Sequence, residues 1–141
     1  MKKFISVLLM ACLVLAMAAP TLAAGSVTVQ PRYVNTSHAS ITMSISSSGL
    51  ATVDLLCTGL SSVTHIDAVV YLERQVGSSW VRVDNGTSHD TWTVTSANRF
   101  MMQSITHQLT VKGTYRAKVT YTVYGASYNE VLTFENTREY K

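Results

Sequence analysis

Four histidines, a lone cysteine, one polar loop and a few aromatic rings are the side chains of this chain that could do chemistry. His38, His65, His89 and His107 stand singly, with no His-Glu-x-x-His or paired Cys/His spacing to gather ligands around zinc. Serine is plentiful, but there is no Gly-x-Ser-x-Gly elbow to lift a nucleophile above a strand-to-helix turn. Catalysis needs convergent groups, and the spacing shows none. The expectation is therefore a protein that is not an enzyme, with no catalytic residue, no metal and no cofactor; a small hydrolase is the least supported reading.

Asp84-Asn85-Gly86-Thr87-Ser88-His89-Asp90 gathers the most oxygen ligands, but lacks the alternating acidic spacing of a calcium loop. It reads as a polar turn built on Asn-Gly. Asn35-Thr36-Ser37 and Asn85-Gly86-Thr87 match the glycosylation sequon and mark exposed loops. Trp80, Trp92, Tyr124 and Tyr128 are candidate rings for a binding platform, because flat rings with a polar edge suit contact surfaces and sugars, and of these Trp92, Tyr124 and Tyr128 are put forward as the binding residues. For Trp80 and Trp92 the competing expectation is the core, where large rings usually go. Cys57 shares a face with Val53 and Leu55 and reads as a buried thiol acting as a small hydrophobe; an intermolecular disulfide is the alternative.

These residues must be positioned by something, and the first 24 residues are not part of it. Lys2 and Lys3 precede an apolar run from Phe4 to Ala19, interrupted by Ser6 and followed by Pro20 and small residues to Ala24. That layout predicts a secretory signal peptide over 1–24, cleaved after Ala23 or Ala24, and a secreted, extracellular product. The run falls short of the roughly 20 apolar residues of a membrane helix, and no later run spans a membrane. Of 11 basic residues, two belong to this segment, leaving nine against 8 acidic ones. The remaining cations are scattered, which excludes the clustered patch that nucleic acid requires. Cys12 also falls in the segment, so Cys57 has no internal disulfide partner.

From residue 25 to residue 141 the pattern is all-β, as a single domain. Ser and Thr supply 32 of these 117 residues, and with Val, Ile and Tyr they make the composition of pleated, half-buried surfaces. Thr114 to Tyr124 alternates without fault: Tyr115, Ala117, Val119, Tyr121 and Val123 share one face. Further strands are expected at Val27–Val34, Ala39–Ser46, Leu50–Thr58, His65–Gln75, Trp80–Val83, Thr91–Thr95, Ser104–Val111 and Glu130–Phe134. About 7–9 short strands with regular turns predict an antiparallel β-sandwich.

Val111-Lys112-Gly113-Thr114-Tyr115-Arg116-Ala117 resembles the start of the sixth strand of an immunoglobulin-like sandwich. The resemblance implies that Tyr115 is the corner tyrosine, its hydroxyl tying down the preceding turn. It places Ala117 and Cys57 at the two core cysteine positions and Val70 or Tyr71 at the core tryptophan position. With no second cysteine and no tryptophan there, the likeness is to disulfide-free sandwiches such as fibronectin type III. Val29-Gln30-Pro31-Arg32-Tyr33, Leu72-Glu73-Arg74 with Ser79-Trp80, and Lys112-Gly113-Thr114-Tyr115-Arg116 also resemble small secreted Gram-positive proteins of a domain-of-unknown-function family. That likeness implies secretion and a sandwich, and brings no activity with it.

The functional expectation is a secreted, non-catalytic interaction module that binds a surface protein or glycan. The alternative is a structural, self-assembling extracellular protein that associates through β-edges, for which low charge and Thr-rich strands are permissive.

Overall fold

A computed structural model describes residues 33–141, within the compact unit Arg32–Lys141. The signal-peptide segment, and the expected Val27–Val34 strand up to residue 32, lie outside the described residues. Tyr33 and Val34 are not in a strand.

Eight strands follow in order: β1 (Thr36–Ile45), β2 (Leu50–Gly59), β3 (His65–Val76), β4 (Ser79–Arg82), β5 (Trp92–Ser96), β6 (Phe100–Gln108), β7 (Gly113–Tyr124) and β8 (Asn129–Tyr140). They form two antiparallel sheets, β1-β2-β6 and β4-β3-β7-β8, with β5 pairing beside β4 on the same edge of β3. This is an all-β sandwich with the strand order of the immunoglobulin-like fold.

Alternation builds its interior. Ala51, Val53, Leu55 and Cys57 of β2 are buried, as are Ile66, Ala68, Val70 and Leu72 of β3 and Tyr115 to Val123 on the odd positions of β7. Neighbouring inward residues complement each other in size: Ala68 stands opposite Tyr121, and Leu72 opposite Ala117. That is how two sheets fill the space between them without voids. Of the pair Val70 and Tyr71, Val70 is fully buried and Tyr71 is on the outer side. The Tyr121 hydroxyl crosses the interior and donates to the Ser40 carbonyl of β1 at 2.8 Å. Tyr115 donates to the Val111 carbonyl at 2.5 Å, four residues upstream, which is the corner geometry expected of it.

The two ends on the β1/β8 side are fastened by specific contacts. Glu130 accepts from the Val34 and Asn35 amides and from Thr36 Oγ1 at 2.7, 3.0 and 2.8 Å. Asn35 Nδ2 donates to the Tyr128 carbonyl and packs on Gly125, where a Cβ would stand 2.5 Å from Asn35 Oδ1. Asn35 and Thr36 of the sequon are thus buried, with Ser37 exposed, so the expected exposed loop is corrected there. At the other end Gly49, at φ +85°, leaves room for Tyr140; a Cβ there would come within 2.8 Å of its hydroxyl.

Four boundaries differ from the expectation by three residues or more, the first being β1, which starts at Thr36 rather than Ala39. β6 starts at Phe100 and stops at Gln108, because Asn98 Oδ1 accepts from the Phe100 amide and closes the turn there. Residues 109–111 form the corner that Tyr115 ties down, so Ser104–Val111 is corrected at both ends. β8 runs on to Tyr140, since β7 offers a pairing partner at every position as far as Gly113↔Tyr140. Trp80 is not in the core: it lies opposite Gln75, on the outer side of β3.

Two outcomes check this packing by urea denaturation. Leu55→Ala should cost about 2–5 kcal/mol, and Tyr121→Phe about 0.5–1.5 kcal/mol. The carboxyl of Glu130 is pushed up by burial, but the hydrogen bonds it accepts from Val34, Thr36 and Asn35 outweigh this and leave it below 4.5. Its contribution is therefore full above the ordinary carboxylate range and is lost as the pH falls through the lowered value. Glu130→Gln should flatten the acid limb of stability against pH, measured by thermal melts between neutral and acid pH.

Candidate functional site

The sandwich presents one face on which rings and charges are interleaved: the outer side of the five-stranded sheet. Register places Tyr71, Glu73 and Gln75 of β3 there, with Trp80 and Arg82 of β4, Arg116 and Lys118 of β7, and Glu135 of β8. Arg116 is the hub. Its Nε donates to Glu73 at 2.6 Å, its Nη1 lies 3.7 Å from Glu135, and its guanidinium sits 4.3 Å from the centre of the Trp80 ring. Lys118 shares Glu135 at 3.8 Å, and Arg82 lies 3.4 Å over Tyr71. The Arg116–Glu73 pair is mostly shielded, with side-chain exposures of 20% and 14%. Such a pair holds its geometry better than an exposed one worth about 0–1 kcal/mol. Cation–π contacts fix the two rings.

The three residues singled out from the sequence do not share one surface. Trp92 lies opposite Val70, on the inner side, and packs edge-on against His107 with centroids 5.5 Å apart. It is a partly buried residue of the inter-sheet edge, so the expectation of a core residue fits it better than that of a platform. Tyr124 does face outward, stacked on His65 at 3.8 Å and 12°. Tyr128 is 49% exposed in the hairpin loop beside it. Tyr124 and Tyr128 therefore mark one end of the outer face. The sequence names Trp80 as a candidate ring and puts Arg116 on the outer face of the clearest strand, but does not join the two into the Trp80–Arg116–Glu73 cluster farther along.

Opposite β1 and β8 the sandwich gapes. A mouth of about 420 Å³ opens between β4 and the end of β6, lined by Arg74, Val81, Val83, His107, Leu109 and Tyr115. All but Leu109 and Val83, which lie beyond the paired strands, take inward positions in the register. Burial raises the Tyr115 phenol above its ordinary value, and the charge of nearby Arg74 pulls against that.

The polar loop uses its oxygens on itself. Asp84 Oδ1 accepts from the Gly86 amide, Asn85 Oδ1 from the amide and hydroxyl of Thr87, and Asp90 Oδ1 from the Asn85 amide. Among the described residues no three His, Cys, Asp or Glu side chains converge on one point. Ser88 Oγ lies 2.8 Å from His89 Nδ1, but the two are exposed neighbours in sequence and no described carboxylate hydrogen-bonds the ring.

No family model, curated protein or solved structure matches the chain. The resemblance to small secreted Gram-positive proteins therefore gains no support from a family match, and the sandwich rests on its own geometry.

Cys57 is free and fully buried. Burial, with a smaller push from the Glu130 charge, raises its thiol from 9.0 to about 11. Only the thiolate reacts, so a chain that starts at Gly25, in which Cys57 is the one cysteine, should resist a disulfide reagent at mildly alkaline pH while folded and take up one equivalent on unfolding in urea. Ready labelling of that folded chain, or a reductant-sensitive dimer band formed by it, would contradict this placement.

Proposed function

We propose that this chain is a secreted, non-catalytic interaction module that binds a surface protein or glycan through the outer face of its five-stranded sheet. The observation that carries the reading is the Trp80–Arg116–Glu73 cluster, in which one guanidinium is fixed by a ring and two carboxylates. Trp, Tyr and Arg are the residues on which binding energy concentrates at protein interfaces. Groups already held in place lose little freedom when a partner arrives. The guanidiniums over Tyr71 and Trp80 already take up one face of each ring. This favours a protein partner, whose polar groups meet the charges, over a sugar stacked on bare rings.

Export rests on the pattern of residues 1–24, and the likeness to small secreted Gram-positive proteins belongs to the same reading. Sequencing the N terminus of the extracellular protein should give a start at Ala24 or Gly25. The alternative of self-association is favoured by one feature, the edge strand β6, with Phe100 and Met102 exposed at 45% and 67%. Light scattering at high concentration separates the two readings, because a strict monomer removes the alternative.

Binding of the purified chain to the surface of the cells that produce it tests the proposal. Trp80→Ala and Arg116→Ala should each weaken binding by about tenfold or more, equivalent to about 1.4 kcal/mol, with the melting transition retained. Thr42→Ala on the other sheet should have no effect. Unchanged binding by both outer-face variants would remove this face from the account.

A further inference from the structure

Arg74 occupies a position that alternation reserves for the core. It follows Leu72 on the inner side of β3, opposite Tyr115 of β7 and Val81 of β4. Arg116 and Lys118 on the outer face are both paired with carboxylates, whereas no described carboxylate lies within salt-bridge distance of Arg74, although Asp84 lines the same mouth. A half-buried guanidinium with no carboxylate in salt-bridge contact costs stability, and Arg74 with Arg82 leaves the mouth one positive charge in excess of Asp84, which also lines it. Such a group is retained at little benefit to the fold unless an anion completes it.

The surroundings narrow what that anion is attached to. Val81, Val83 and Leu109 give the mouth apolar walls, and its volume of about 420 Å³ admits one sizeable side chain together with a charged group. Among the described residues no strand pairs with the outer edge of β4. A strand edge of this kind offers backbone donors and acceptors to an extended chain. A guanidinium matches a carboxylate with two parallel hydrogen bonds.

We propose that this mouth binds the free C-terminal end of an extended peptide: the terminal carboxylate on Arg74, the last apolar side chain between Val81 and Leu109, and the main chain along the open edge of β4. The mouth shares Arg82 with the outer face, but neither Trp80 nor Arg116 lines it. Loss of binding through Arg74 and loss through Trp80 are therefore separate results.

Isothermal titration of the full chain with acetyl-Ala-Val-Val-Leu, as free acid and as C-terminal amide, tests the proposal without any variant. Saturable binding of the acid is expected, with the amide weaker by about tenfold or more. The small acid 4-methylpentanoate, which carries the carboxylate and the apolar group but no backbone, should also bind much more weakly than the peptide. Arg74→Gln should bring acid and amide to the same weak level. Arg74→Lys, which keeps the charge, should preserve part of the difference and guards against a glutamine variant that fails to fold. Equal binding of acid and amide, binding of 4-methylpentanoate as tight as that of the peptide, or no saturable heat at millimolar peptide would each overturn the assignment.

Discussion

The inward side chains of β2 press against those of β3 and β7, and every other feature of the molecule is arranged around that seam. Val53, Leu55 and Cys57 from one sheet meet Ile66, Val70, Val119 and Tyr121 from the other, all with at most 1% exposure. Each fully buried aliphatic side chain contributes about 1.5–3 kcal/mol, offset by the entropy of ordering the chain. A shift of one residue in any central strand would turn its whole apolar set to water. The seam therefore fixes not only what is buried but which side chains stand outside. Arg116 is an outer-face hub because Tyr115 and Ala117 are in the core.

The seam is finished differently on its two sides. Beside β1 and β8 it is sealed by contacts that satisfy polar groups: Glu130 on the entry to β1, Asn35 under Gly125, and Tyr140 against Gly49. On the other side β5 leans toward β6 through Trp92 and His107. Farther along, the short β4 leaves the sheets apart and the mouth open. This asymmetry separates the groups that hold the fold from those free to meet a partner.

Much of this was legible in the chain, for reasons that differ by element. β7 could be read directly because it is central, and burial on one side enforces alternation at every step. β8 could not be read beyond Phe134: as an edge strand it leaves Asn136 and Arg138 on its inner side, so polarity no longer reports direction. At the start of β6, Phe100-Met101-Met102 is apolar at consecutive positions, which hides its period. Trp80 was misplaced because its side is set by the two-residue turn at Gly77-Ser78, with Gly77 at φ +62°, and not by its own hydrophobicity. The outer-face cluster joins β3, β4, β7 and β8, so it depends on a register that no local pattern contains. Trp92, Tyr124 and Tyr128 were sound as aromatic candidates, but only knowledge of the pairing separates the first from the other two. Arg74 was readable in principle, as a charge two residues beyond Leu72 on the inner side.

Amide hydrogen exchange resolved residue by residue bears most directly on the seam. The account predicts that the central amides of β2, β3 and β7 exchange only through global unfolding, with protection matching the free energy from urea denaturation, while β4 opens locally and exchanges faster. Fast exchange at the centre of β7, or protection in β4 equal to that in β2, would contradict it.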